Sequence, residues 1–373
     1  MKILHLALTK KWGGGANQIQ NLCKELINID DFELHLLTIA DGEFHKRISD
    51  KNIHLHVTPM AFKADLRAAI KLIRVCLKYK IDLIHIHGPT ALTIAVLAYH
   101  LKKLPPFIFS KKTSFTIRQN RGTLFKYNHP NLKRILCVSE KTKDISKPSI
   151  QDHSKLITVY HGTDIHSKSG QPPFKLREKF NIEPETVIVG MIANHVKPKD
   201  LHTWVAVINE IVNIKNNTNF RFVQFGSYSE ITKTLKNNIR ELKLEKYINF
   251  LGFVPEASKF IPQFDISLMT SQSEGIPQFI YESFYYKVPV VATEVGGIPE
   301  IITNGENGFL SRPHDGVSLA NKLVLLSQDR SLQEKFTKIS YQRLLESYTT
   351  ERMAANTLAQ YKEVLYGKNG TGS

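Results

Sequence analysis

Short β-branched apolar runs alternate with stretches whose apolar residues recur at helical spacing, and this alternation passes through the chain twice. "KILHLAL" ends at a glycine triplet and leads into "ANQIQNLCKELINI", where Ile19, Leu22, Leu26 and Ile29 share one helical face. "FELHLLTI" and "IHLHVTPM" read as strands, "RAAIKLIRVCLKYK" as a helix and "DLIHIHG" as a strand running into a turn. "ALTIAVLAYHLKK" reads as a buried helix, and "PFIFSKK", "RILCVSE" and "KLITVYHG" complete the first half. At "SKSGQPP" the composition becomes that of a linker. The alternation then restarts with "TVIVGMIA", "LHTWVAVINEIVNI", "FRFVQFG", "INFLGFV", "DISLMTS" and "VPVVAT", and helical patterns follow from Leu319 onward. This order predicts parallel, doubly wound α/β sheets covered by helices on both faces. A chain of 373 residues is too long for one ordinary core. The expectation is two Rossmann-like αβα domains facing across a cleft.

A hydrophobic content of 42% and a charged content of 23% are those of a soluble globular protein. Only the tail "GKNGTGS" lacks apolar residues to bury. Cys23, Cys76 and Cys137 are far apart and form no CxxC pair, so they read as core thiols in a reducing compartment. The N-terminal "MKILHLALTKKWGGG" has no small-residue cleavage site and reads as a first buried strand rather than a signal segment. The longest apolar run, Ala91 to Leu101, is too short to span a bilayer.

Charge is unevenly spread. The formal net charge is +16, and residues 1–164 hold 26 Lys and Arg against 13 Asp and Glu. No acidic residue lies between Asp82 and Glu140, where Lys102, Lys103, Lys111, Lys112, Arg118, Arg121, Lys126, Lys133 and Arg134 fall. Phe107, Phe109, Phe115 and Phe125 are interspersed among them, as core residues or as a docking surface. Such a block suits an anionic partner, namely a membrane leaflet, a phosphorylated acceptor or a nucleic acid, or is a solvated surface with no partner.

In open parallel sheets ligands bind beyond the carboxyl ends of the strands, so the loops there hold the candidate chemistry. Gly13, Gly14 and Gly15 follow the first strand and open a helix, which lets backbone N–H groups approach an anion. They do not fit G-x-G-x-x-G, and a plain tight turn explains them equally well. His87 ends a strand, a place suited to proton traffic or to donation to a phosphate, among 15 histidines most of which are surface or core residues. No HExxH or Cys/His quartet suggests a metal. Lys197 and Lys199, in "ANHVKPKD", precede a helix and can neutralise a diphosphate or simply sit exposed in a loop. In "SQSEGIPQFIYESFYY", Glu274 falls in a loop over the cleft and Pro277 in the first turn of a helix that carries Glu282. Two carboxylates beside the unpaired N–H groups of a helix end suit a sugar–diphosphate, though ordinary surface glutamates have the same spacing. "EVGGIPEII" adds a glycine turn with Glu300 behind it.

The combination resembles retaining glycosyltransferase family 4, of group 1 and the two-Rossmann GT-B type, over nearly the whole chain. The E-x7-E signature appears as Glu274 to Glu282, followed by "PVVATEVGGIPE" and "NGENGFL"; "VYHGTD", "GMIANHVKPKD" and "IHIHG" match earlier motifs. The resemblance implies an acceptor-binding domain over residues 1–166 and a donor-binding domain over 167–350. Residues 351–373 would form a helix crossing back to the first domain, plus the tail. It implies transfer from a nucleotide-diphosphate sugar with the anomeric configuration kept, without a cofactor or metal ion. Glu274 would sit at the donor sugar, with Gly275, Ile276, Pro277 and Gln278 lining it and Glu282 on the ribose. Lys199 would neutralise the diphosphate with the amides of Gly14 and Gly15. Asn194 stands where the family has an arginine, so Lys197 would have to supply that charge. The family's N-domain histidine falls at residues 111–113, so His87 or a lysine would act there.

The implied acceptor is a lipid-linked saccharide, a lipopolysaccharide or another cell-surface glycan, and the implied location is cytoplasmic, at the inner face of the membrane. Whether the leaving phosphate takes the acceptor proton or a glutamate forms a covalent intermediate stays open. So does an epimerase or phosphorylase reaction on the same fold. An anionic-polymer binder ranks below these because the chain shows no nucleic-acid motif, and no nucleic-acid partner is expected.

Overall fold

In the computed structural model, residues 1–367 are described, apart from Lys11, Ser49 and 167–169. The expectations for the tail past Gly367 and for the first three linker residues lie outside the described residues. The chain divides into two compact units, Met1–Gly162 with Tyr348–Ser373, and Thr163–Ser347.

The first unit is built on a seven-stranded sheet. Its strands are β1 (Lys2–Ala7), β2 (Glu33–Ile39), β3 (Ile53–Thr58), β4 (Leu83–His87), β5 (Phe107–Lys111), β6 (Leu132–Cys137) and β7 (Leu156–Thr158). The second unit holds six: β8 (Val187–Ile192), β9 (Phe220–Phe225), β10 (Ile248–Gly252), β11 (Ile266–Met269), β12 (Val290–Thr293) and β13 (Phe309–Ser311). The orders are β3-β2-β1-β4-β5-β6-β7 and β10-β9-β8-β11-β12-β13, with every pairing parallel. These are the two Rossmann-like sheets that the alternation predicts. Strand order reverses between β1 and β4, and again between β8 and β11. At such a reversal the flanking loops leave in opposite directions, opening a crevice at the carboxyl ends.

Helices bury both sheet faces. One core joins Leu4, Leu6, Ile84 and Ile86 to Leu72, Leu92 and Ile94 from the helices Leu66–Tyr79 and Pro89–Leu101. A second joins Ile3, Leu83 and Ile108 to Leu22, Leu26, Met353 and Tyr361, so the helix Thr350–Tyr366 packs on the first unit. Each large apolar side chain buried this way contributes about 1.5–3 kcal/mol. All three cysteines are buried free thiols. Among the described residues no helix is long and apolar enough to cross a membrane.

One local alternative divides, and one local expectation needs correction. Of the four phenylalanines in the basic segment, Phe107 and Phe109 are core residues of β5, whereas Phe115 and Phe125 are each 54% exposed. Alternating strand residues of a sheet covered on both faces are all buried, which accounts for the first pair. Pro277 is the N-cap of the helix Gln278–Tyr285 rather than a residue of its first turn, with extended φ −76° and ψ 131°.

Candidate active site

The β8/β11 crevice gathers residues distant in sequence. β11 runs into a loop whose Thr270 hydroxyl donates to the carbonyls of Lys199 and Asp200 at 3.2 and 3.1 Å. The Gln272 amide donates to the Pro198 carbonyl at 2.8 Å, so the loops after β8 and β11 are held side by side. Their side chains then meet. Lys199 Nζ donates to Glu274 Oε1 at 2.5 Å, and Ser271 Oγ donates to the same oxygen at 2.6 Å. The Glu274 and Lys199 side chains are only 11% and 22% exposed, so water screens this pair less than a surface pair.

The glycine turn after β12 closes on the same loop. Gly297 donates its amide to the Gly275 carbonyl at 2.7 Å, and Gly296 occupies left-handed φ 56°, which a side chain would strain. Gly275, Ile276 and Pro277 are buried beneath the half-buried Glu274 and Gln278. Glu282 is half-buried one turn along the helix, about 6 Å of rise from Gln278. Glu300 lies in the short helix Ile298–Ile301 that follows the glycine turn.

The loop after β8 separates its candidates. Asn194 Oδ1 accepts the Ser227 amide at 2.9 Å, making it a brace between the β8 and β9 loops. His195, fully buried, bridges Thr232 Oγ1 at 2.9 Å and Gln224 Oε1 at 2.8 Å, and burial lowers its pKa. Lys197 is exposed and makes no ion pair among the described residues. At Gly226 a Cβ would lie 1.9 Å from the Ala193 carbonyl oxygen, so only glycine lets the two loops approach.

The β1/β4 crevice has a different chemistry. Gly13 caps the helix Gly14–Leu26, and nothing lies within 4 Å of where a Cβ would be on Gly13 or Gly14. Lys112 Nζ donates to the Gly15 carbonyl at 3.1 Å, and burial lowers its pKa to about 7. Lys111 is turned away: its Nζ donates to the Thr113 and Phe115 carbonyls at 2.5 and 2.7 Å, and burial brings its pKa to about 8. Between the two lysines left open by the sequence, Lys112 is therefore the one beside the glycine loop.

His87, the last residue of β4, faces inward. Its Nε2 is 3.1 Å from His5 Nδ1, while its Nδ1 is buried without a hydrogen-bond partner. His5 Nε2 lies 3.2 Å from the Tyr361 hydroxyl, which is 2.5 Å from His85 Nδ1; His85 Nε2 lies 2.7 Å from Ser110 Oγ. A continuous chain of polar contacts thus runs from Ser110 to His87. Burial pushes the pKa of His5 down to about 3 and those of His85 and His87 well below the usual histidine value, with Lys112 opposing their protonation further. His5 and His85 are register partners, and His85 and His87 alternate on one face. The H-x-H spacing in "HIHG" signals that shared face, whereas nothing in the sequence points to Tyr361, 276 residues away.

Two groups of described residues have ligand atoms within 4.8 Å of one another: His5, His85 and His87, and Glu33, His35 and His54. In the second, His35 Nε2 lies 2.8 Å from Glu33 Oε1 and its Nδ1 lies 3.0 Å from His56 Nε2. The first group is knit together by the polar contacts above, and in the second His54 stacks on His35 with its Nε2 4.0 Å from Glu33 Oε1.

Comparison with known proteins agrees with this arrangement. Residues 12–167 match the family "Glycosyltransferase Family 4" and residues 174–343 match "Glycosyl transferases group 1". The chain is 24% identical over 330 residues to N-acetyl-alpha-D-glucosaminyl L-malate synthase of Bacillus anthracis, covering 74% of this chain and 85% of that protein. It is 22% identical over 364 residues to the capsular polysaccharide biosynthesis glycosyltransferase CapM of Staphylococcus aureus, covering 93% and 94%. The crystal structure of HepE from Anabaena, in complex with UDP and glucose, superposes with a TM-score of 0.84 at 20% identity, covering 97% of this chain and 99% of that one.

Proposed function

The chain belongs to the group 1 glycosyltransferases of family 4, and from that premise we propose that it is a retaining enzyme using a nucleotide-diphosphate sugar. The observation that carries the reading is the Lys199–Glu274 pair at the β8/β11 crevice, beside the start of the helix Gln278–Tyr285. A diphosphate needs a cation and amide donors, whereas a sugar needs acceptors for its hydroxyls. Lys199 and the helix end supply the former, and Glu274 supplies the latter. Gly275, Ile276, Pro277 and Gln278 would line the sugar, with Glu282 on the ribose. Lys197 adds positive charge at the rim, while Asn194 braces the loop. HepE binds UDP and glucose, which supports a uridine donor here.

In the first unit, Gly14, Gly15 and Lys112 line the β1/β4 crevice, and the buried His87, whose Nδ1 has no hydrogen-bond partner, is the candidate group on the acceptor side. Transfer breaks the bond from the sugar C1 to the phosphate oxygen and forms one from C1 to the acceptor oxygen on the same face. The acceptor proton passes to the leaving phosphate, and Lys199 stabilises the charge that develops there. Glu274 Oε1 already accepts from Lys199 and Ser271, which supports a positioning role over covalent attack. No cofactor or metal ion enters this scheme.

We assign the acceptor to lipid-linked or cell-surface glycans, with the basic first unit at the cytoplasmic face of the membrane. The capsular relative and the charge of residues 1–164 support this. Incubation with UDP-glucose, UDP-N-acetylglucosamine and GDP-mannose, with and without a lipid-linked acceptor, tests it. Acceptor-dependent release of nucleoside diphosphate, with an α-linked product by NMR, is expected. Donor turnover without any acceptor would point to an epimerase or hydrolytic reaction instead.

A further inference from the structure

The helix Leu66–Tyr79 gives the core only part of its circumference. Ala68, Ala69, Leu72, Val75 and Cys76 are buried, and Asp65 caps the first turn through the Arg67 amide at 3.1 Å. The remainder sorts into two rows. Leu66, Ile70, Ile73 and Leu77 recur at i, i+4, i+7 and i+11, with Ile73 half-buried against the core, and Arg67, Lys71, Arg74 and Lys78 recur at the same intervals one residue on. At about 100° per residue, the buried set centres near 240° from Leu66, the apolar row near 10° and the cationic row near 110°. The seam between the rows therefore lies opposite the buried face and points straight at solvent. Leu66, Ile70 and Leu77 are 52%, 42% and 57% exposed, and Phe62, just before the helix, is 62% exposed.

An apolar row beside a cationic row is the pattern of a helix lying in a bilayer interface. No acidic residue occurs from Leu66 to Lys80, and Asp65 is engaged by the cap and by Arg67 Nη2 at 2.7 Å. Lys63, Lys71, Arg74, Lys78 and Lys80 make no ion pair among the described residues, so their charge remains for an external anion. Elsewhere in the unit several cations are committed internally. Lys111, Lys112 and Lys126 bind carbonyl oxygens, and Arg134 faces Glu363 at 3.4 Å.

We propose that this helix, with Phe62, is the face by which the first unit seats on an anionic lipid bilayer. The apolar row enters the headgroup–acyl boundary, and the cationic row lies among lipid phosphates. A second copy of the chain suits the face poorly, because the cationic rows would meet. The inference rests on the reading of this unit as membrane-facing but not on the transfer reaction.

Co-sedimentation of the full chain with vesicles tests it, comparing phosphatidylglycerol–phosphatidylcholine with phosphatidylcholine alone at low and high salt. The chain should partition onto the anionic vesicles at low salt and leave them at high salt. Leu66→Ser/Ile70→Ser/Leu77→Ser and, separately, Lys71→Glu/Arg74→Glu should each lower the partition coefficient about tenfold or more. Phe115→Ser/Phe125→Ser should leave it near the original value. Retention of the unaltered chain's cooperative thermal unfolding and far-UV circular dichroism shows that a variant is folded. Undiminished partition of both helix variants would overturn this assignment while leaving membrane contact standing. Failure of the unaltered chain to bind anionic vesicles would overturn both. A dimer in solution that the serine variant dissociates would assign the face to a second copy and also overturn the proposal.

Discussion

The two units share a strand order, yet their crevices use opposite electrostatics. At the β8/β11 mouth a partly exposed cation and carboxylate meet at 2.5 Å. At the β1/β4 mouth, His5 and His85 are fully buried, His87 is nearly so, and their imidazoles are held neutral beside a lysine bound to a backbone carbonyl. One topology therefore offers two sites in the same place, and the side chains after the strands decide what each can do. On the proposed reading the second unit binds a charged, hydroxyl-rich molecule, whereas the first orients hydrogen bonds without adding charge.

The comparison breaks most readily at the ion pair. Glu274→Ala and Lys199→Ala should each lower kcat/KM by about 10²–10³ in a sugar-transfer assay. Each leaves a partly buried charge without its partner, and activity near the original would remove the second unit's crevice from the reaction. Gly226→Ala should come next, because its Cβ would meet the Ala193 carbonyl oxygen at 1.9 Å and φ there is 151°. Denaturant titration should show a loss of about 3 kcal/mol. Tyr361→Phe removes the hydroxyl shared by His85 and His5, and should cost about 1–3 kcal/mol by the same measurement. A change well below that range would mean the histidines find other partners.

Acid should separate the units. A histidine whose folded pKa is lowered binds fewer protons than its unfolded form, so stability falls as pH drops below the unfolded value near 6.5. The loss continues toward the folded pKa, which for His5 is about 3. Among the described residues the first unit holds six buried histidines so affected, His5, His35, His85, His87, His129 and His161, against His195 in the second. Each contributes up to about 1.4 kcal/mol per pH unit within its window. Trp12 lies in the first unit and Trp204 in the second, and they are the only tryptophans. Single-tryptophan variants followed by fluorescence between pH 7 and pH 5 should show the first unit losing stability faster. Equal losses would contradict the account of the neutral histidine cluster.

Much of this was legible in the sequence. Apolar runs bounded by glycine and polar turns specified both sheets, because burial on both faces demands them. The spacing from Glu274 to Glu282 fixed one residue in a loop and the other on a helix. What the sequence withheld was tertiary. Lys199 and Glu274 are 75 residues apart, and only the pairing of β8 with β11 brings them together. Lys111 and Lys112 are equivalent on paper, and the alternation of side chains at the end of β5 sends one into its own loop and the other to Gly15. Asn194 was legible as an uncharged residue in place of arginine, but its role as a brace depends on a second loop.

Calorimetric titration of UDP and UDP-glucose into the unaltered chain, Lys199→Ala and Glu274→Gln tests the central claim most directly. Lys199→Ala should weaken both ligands by about tenfold or more, since each presents the same diphosphate. Glu274→Gln should leave UDP nearly unchanged and lose the affinity that glucose adds. Undiminished UDP binding to Lys199→Ala would contradict the assignment of the diphosphate to the β8/β11 crevice.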